Sequence, residues 1–178
     1  ETPEKAVTNA LNAVKNFDKD TAQKYFDYNE LFSNNSETDE LIGEEHARLV
    51  FGKLSFKVLS SSKEGDTATV KTEITNIDMA DVMVEYFRQA MALALENAFI
   101  GDNTWSEEET NSQMEQILID LLKRDDNKTK TSTVDIKLSK HDDNWKIDIN
   151  EELRDAVFGG IISMTKDMEN IFGSSDSP

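Results

Sequence analysis

Leu54-Ser55-Phe56-Lys57-Val58 and Ala68-Thr69-Val70-Lys71-Thr72-Glu73-Ile74 alternate apolar and polar side chains. Between them, Ser60 to Asp66 is a polar run with turn chemistry. A period of two places every apolar side chain of a strand on one face. The stretch therefore predicts a β-hairpin with one buried and one wet face. The same alternation returns once. Val134, Ile136 and Leu138 alternate with Asp135 and Lys137, and Trp145, Ile147 and Ile149 alternate with Lys146 and Asp148, with Asp142-Asp143-Asn144 as the turn.

Outside the two hairpins the period changes to that of a helix. Ala6, Val7, Ala10, Leu11, Val14 and Phe17 keep helical spacing behind a Thr2-Pro3 start. Asp18 or Asp20 caps a second helix with Ala22, Tyr25 and Phe26. After the loop Ser33-Asn34-Asn35-Ser36, a third carries Leu41, Ile42, Leu49 and Val50. From Asp78 a long stripe runs through Met79, Val82, Met83, Tyr86, Phe87, Ala90, Met91, Ala94, Leu95 and Ala98, predicting a helix buried along its length. Ser106 with Glu109 spells a capping box for the next helix, which bears Met114, Ile117, Leu118, Leu121 and Leu122. A last helix is expected from Glu151 to Phe172, weakened in its middle by Gly159-Gly160. The order is three helices, hairpin, two helices, hairpin, helix. That pattern predicts an α+β fold: an antiparallel sheet of about four strands in two hairpins, packed against amphipathic helices. One domain over residues 1–172 is expected, with a helical insertion at 78–128 and a frayed tail at 173–178.

Charge narrows the partners. The 178 residues hold 19 basic and 36 acidic side chains, a net charge of −17. A field of that sign disfavours nucleic acid and anionic membrane surfaces. Both hairpins are neutral, so the acidic excess belongs to the helical segments. With 0 cysteines, disulfides, thiolate metal sites and cysteine nucleophiles are excluded for these residues. No run approaches the ~18 apolar residues of a membrane span.

Chemistry-bearing motifs are scarce. His46 and His141 lack metal-ligand spacing; His141 reads as a turn residue and His46 as the edge of a core. Asp125-Asp126-Asn127 and Asp142-Asp143-Asn144 lack the alternating carboxylates, Gly and distal Glu of an EF-hand loop. Glu107-Glu108-Glu109 offsets a helix dipole. No Ser-His-Asp arrangement, phosphate loop or paired-carboxylate motif occurs. No catalytic residue, metal ligand or cofactor is therefore assigned. Met79, Met83, Met91 and Met114 fall on helical stripes and read as core, with an adaptable binding groove as the alternative.

Several segments carry a resemblance. Pro3-Glu4-Lys5-Ala6-Val7, then Asn16-Phe17-Asp18-Lys19-Asp20-Thr21-Ala22-Gln23-Lys24-Tyr25-Phe26, resembles the opening of nuclear-transport-factor-2-like and cystatin-like domains. Thr131 to Lys140, the turn from His141, and Trp145-Lys146-Ile147-Asp148 resemble their closing hairpin. The chain is also similar to uncharacterised cell-surface lipoproteins of Gram-positive bacteria. The resemblance implies a curved, cone-shaped sheet around a helix, secretion, and a lipid anchor on a Cys before Glu1. That anchor would be the chain's link to a membrane.

On this basis a non-catalytic, extracytoplasmic lipoprotein domain is expected, binding a small molecule or a protein partner. The expected pocket is lined by Phe56, Val70, Tyr86, Ile136, Trp145 and Ile147. A protein partner is expected on the balanced outer sheet face at Lys57, Lys71, Glu73, Lys137 and Lys146. Two alternatives stand beside it: a cone-fold isomerase or dehydratase using a buried Tyr or Asp, and a structural module forming a homodimer through the sheet's polar face.

Overall fold

The computed structural model describes residues 1–32, 43–101 and 105–173. The expected loop from Ser33 to Ser36, the helix positions Leu41 and Ile42, and the tail beyond Gly173 lie outside them. Helix α1 (Pro3–Lys15) starts where Thr2 accepts from the Lys5 amide, and it buries Ala6, Val7, Ala10, Leu11, Ala13 and Val14. The expected second helix is only four residues, α2 (Lys19–Ala22), capped by Asp18. The Tyr28–Phe32 stretch forms a tighter 3-10 turn, and α3 (Glu44–Phe51) follows.

Four strands make one antiparallel sheet in the order β1 (Ser55–Glu64), β2 (Thr67–Ile77), β3 (Thr129–His141), β4 (Asn144–Ile147). Both hairpins form, and β2 and β3 join them in the middle, with Val70 opposite Ile136. Strand β1 runs further than its composition suggests. Ser60 to Glu64 pairs with β2, and the turn is confined to Gly65 and Asp66. The register slips between Val58 and Ser60, which sets Leu59 outside the ladder at 45% exposed. This bulge moves polar Ser61 and Lys63 to the level of Val70 and Ala68. At the second hairpin Asp142 and Asp143 both take positive φ, 48° and 65°. That is the primed two-residue turn whose twist matches the flanking strands.

The inner face of the sheet holds Ala68, Val70, Thr72, Ile74 and Asn76 from β2 and Val134, Ile136 and Leu138 from β3, all buried. Helices α1 and α6 (Glu151–Val157) pack over it. An aromatic cluster closes the core beside them, with Phe51 ringed by Phe17, Phe32 and Phe158 at centroid distances of 6.2, 6.1 and 5.0 Å.

Between the hairpins lie α4 (Met79–Phe99) and α5 (Glu107–Lys123), and the chain closes with α7 (Ile161–Phe172). The capping box is present: Ser106 accepts from the Glu109 amide and Glu109 accepts from the Ser106 amide. Two expectations need correction. The last helix, expected as one weakened helix, is two, because Gly159 and Gly160 both sit at positive φ, 65° and 83°. And α4 is not buried along its length. Only Met79, Val82 and Met83 are.

Candidate functional site

The helix α4 is launched from a fixed point. Asp78 caps it by accepting from the Ala80 and Asp81 amides at 3.1 and 3.4 Å. The Met79 amide donates to the Gly159 carbonyl at 3.0 Å, which ties the first turn of α4 to the joint between α6 and α7. Helices α4 and α7 therefore leave from one place, and they leave side by side. Between them is a groove of about 260 Å³ lined by Met83, Phe87, Met164, Thr165, Met168, Glu169 and Phe172.

Length then decides what is covered. At 1.5 Å per residue, the 21 residues of α4 span about 31 Å and the 12 of α7 about 18 Å. Past the end of α7 nothing among the described residues lies over this side of α4. There Met91, Leu95 and Phe99 are 68%, 55% and 86% exposed, and alongside α7 Val84 and Phe87 are 70% and 48% exposed. These positions repeat at 3, 4, 4 and 4 residues and form one continuous apolar stripe. Helix α5 guards the opposite flank and is antiparallel to α4; at its start the Trp105 amide donates to Asn97 Oδ1 at 3.0 Å.

The stripe is also short of charge. From Tyr86 to Ile100 only Arg88 and Glu96 are ionisable apart from Tyr86 itself. Arg88 forks onto Glu85, with Nε to Oε2 at 2.9 Å. That pair, with help from Gln89, pulls the Glu85 carboxyl down to about 2.

No family model, curated protein or solved structure matches the chain.

The residues expected to line a pocket are only partly brought together. Val70, Ile136, Trp145 and Ile147 share the inner sheet face and are buried, with Phe56 half-buried beside them. They form core beneath α1 and α6. The Trp145 Nε1 donates to the Glu1 carbonyl at 3.1 Å. Tyr86 is elsewhere, half-buried on α4 with its ring edge-on to Phe87. A depression of about 320 Å³ does open beside Trp145, among Glu1, Lys24, Tyr25, Asn144 and Lys146. Its polar groups are already engaged: Lys146 donates to the Lys24 carbonyl at 2.7 Å, and the Tyr25 hydroxyl donates to Glu1 at 3.1 Å.

The outer sheet face is as balanced as expected from its residues. Lys57 lies opposite Glu73 and Lys71 opposite Asp135, with Lys137 across from Thr69 and Lys146 across from Ser139. It is polar, and at its edge Lys146 also borders the depression beside Trp145.

Other chemistry-bearing groups are scattered. His46 has both ring nitrogens buried without a hydrogen bond among the described residues, and Glu115 stands 3.9 Å away. His141 contacts Ser139 at 3.1 Å in the second hairpin. Asp125 faces Lys53, and Asp126 is held by Arg124. Among the described residues no group of three or more His, Asp or Glu is gathered for a metal ion. Among the described residues no helix is long and apolar enough to cross a membrane.

Sequence reasoning named Met83, Phe87, Met91 and Leu95 as core. It missed that Phe87, Met91 and Leu95 are surface, and it did not single out Val84 or Phe99. A signal was present. Val84, Leu93 and Phe99 are apolar positions outside the stripe read from α4, and a helix apolar on more than one side needs more than one cover.

Proposed function

We propose that this chain is a non-catalytic binding domain that takes a protein partner on the open apolar side of α4, next to the α4–α7 groove. The observation that carries the reading is the length mismatch. Roughly the last two and a half turns of α4 carry Met91, Leu95 and Phe99 beyond the reach of α7, and all three are more than half exposed. Contiguous apolar surface of this kind marks interaction sites in water-soluble domains. Methionines at the groove, Met83, Met164 and Met168, supply side chains that adapt to a partner's shape.

A small molecule is favoured less. The groove, at about 260 Å³, falls below the roughly 300–1,000 Å³ of ligand pockets, and the inner sheet face is packed. The enzyme reading is weaker still. Tyr28, the most buried tyrosine hydroxyl, is pushed up to about 12 by burial and then by the nearby Glu44 charge. A phenol held so far from neutrality makes a poor acid–base group at pH 7.

Location follows from the resemblance to Gram-positive surface lipoproteins, which supports an extracytoplasmic domain held by a lipid. An apolar segment ending in a Cys directly upstream of Glu1 in the coding sequence is the expected finding. A cytoplasmic start would overturn it.

The docking face is tested by site-specific photocrosslinking in the source cell. A photoreactive phenylalanine analogue in place of Phe99 should yield a discrete crosslinked protein, and the same probe in place of Thr131 on the sheet face should not. Crosslinks from position 131 alone, or from neither, would sink the assignment.

A further inference from the structure

We propose that the depression beside Trp145 is a binding site for a small free dicarboxylate, in which Glu1 holds the place of one of the ligand's carboxylates. The site is separate from the α4 face and goes beyond that reading. Its frame is the edge of the sheet. The Ile147 amide of β4 donates to the Tyr25 carbonyl at 2.8 Å, which lays the Lys24-Tyr25 segment along that edge. The Trp145 Nε1 donates to the Glu1 carbonyl at 3.1 Å, which lays residue 1 beside the same strand. The depression they border, about 320 Å³, falls at the lower end of the roughly 300–1,000 Å³ of ligand pockets.

A carboxylate already stands at its wall. Glu1 Oε1 accepts from Asn9 Nδ2 at 2.7 Å and from the Tyr25 hydroxyl at 3.1 Å. Asn9 Nδ2 also donates to the Tyr25 oxygen at 3.0 Å, which leaves the hydroxyl hydrogen for Glu1. Tyr25 is only 9% exposed, so its hydroxyl depends on the acceptor that Glu1 supplies. Burial raises the phenol above its ordinary range, with Asn9 opposing and Glu1 adding to the rise, so it is a donor at neutral pH. The two donors suit a carboxylate, whether it belongs to the chain or to a ligand.

The wall supplies the complement of a second charge. Lys24 and Lys146 border the depression, and neither is ion-paired among the described residues. Lys146 gives one hydrogen to the Lys24 carbonyl at 2.7 Å and keeps its remaining donors. Once the Glu1 carboxylate is displaced, the lining holds two positive charges and no negative one, in a chain of −17. By contrast, Glu169 lines the α4–α7 groove, and Glu107, Glu108 and Glu115 line a hollow on α5. A diacid meets Tyr25 and Asn9 at one end and two ammonium groups at the other, through charge-assisted hydrogen bonds. A monoacid of the same length leaves the lysines unpaired. It therefore gains little over Glu1, which is tethered and competes at an effective concentration of about millimolar.

The test is titration of the full chain with glutarate at fixed ionic strength, read by calorimetry and by the tryptophan indole N–H signals in NMR. Glu1→Ala should bind glutarate about tenfold more tightly than wild type, because the tethered competitor is gone. In that background butyrate should bind about tenfold more weakly than glutarate. Glutarate should shift the Trp145 indole signal and leave that of Trp105 in place. Adding Lys24→Ala and Lys146→Ala should bring glutarate down to the level of butyrate, with an unchanged circular dichroism spectrum. Tyr25→Phe should instead weaken both acids alike. No saturable binding of glutarate to Glu1→Ala overturns the proposal, as does equal affinity for wild type and Glu1→Ala. Glutarate no tighter than butyrate overturns it too, and so does a Trp105 signal that moves as far as that of Trp145.

Discussion

Gly159→Ala should destabilise the fold by roughly 3–5 kcal/mol, seen as a lower urea midpoint with little change in slope. The φ of +65° at Gly159 is one cost, since a Cβ in the left-handed region is disfavoured by about 1–2 kcal/mol. Contact is the larger one. A Cβ built there would lie 1.9 Å from the Ile77 carbonyl oxygen and 3.0 Å from Met79 Cγ. The first of these is backbone and cannot rotate away. Relief requires the end of β2 to part from the α6–α7 joint, and that movement stretches the bond from the Met79 amide to the Gly159 carbonyl. Gly65→Ala is the control. Its φ is +60°, but nothing lies within 4 Å of the new Cβ, so only the conformational cost of about 1 kcal/mol should appear. Gly160→Ala should fall between them, because its Cβ meets the movable end of Lys130. The same joint sets the angle between α4 and α7. Any Gly159→Ala protein that still folds should therefore show altered groove methyl signals at Met83 and Met164.

Both hairpins were legible because a period of two leaves little freedom: a slip of one residue would turn Val70 and Ile136 to water. The capping box at Ser106 and the break at Gly159-Gly160 were local chemistry, and each acts where it stands. What composition hid was set by distant partners. Ser60 to Glu64 looks like loop and becomes strand because β2 supplies a ladder for its backbone. Leu59 is apolar, yet the bulge leaves it outside the ladder and exposed. The α4 stripe shows which side of that helix avoids water, but burial depends on how far a neighbour extends. Helix α7 ends too soon to cover Met91, Leu95 and Phe99. The candidate site is thus a consequence of two lengths measured from one joint, and neither length is visible in the apolar pattern of α4 alone.

Asn76→Leu should cost roughly 2–4 kcal/mol although it exchanges a polar side chain for an apolar one of similar size in a fully buried position. In the native protein the Asn76 Nδ2 donates to the Val157 carbonyl at 2.7 Å, and its Oδ1 accepts from the Ile77 amide at 2.8 Å. Val157 closes α6, where the final carbonyls have no partner within their own helix. Asn76 thus satisfies an orphan acceptor and an orphan donor on two elements, and leucine would leave both dry and unpaired. Asn76→Asp separates polarity from pairing. It keeps the acceptor for Ile77 but turns a second oxygen toward the Val157 carbonyl and buries a charge. Burial and that carbonyl should both raise the carboxyl above its unfolded value of about 3.9. A folded pKa raised above the unfolded one makes stability fall as pH rises from the unfolded pKa toward the folded one, because the native state binds the extra proton. The Asp variant should accordingly be least stable near neutral pH and recover towards pH 4, where the protonated carboxyl can donate to Val157. Asn76→Leu should show no such recovery. Equal pH profiles for the two variants would mean that Asn76 acts through shape alone, and the tie between β2 and α6, on which the placement of α4 beside α7 depends, would have to be sought at Gly159.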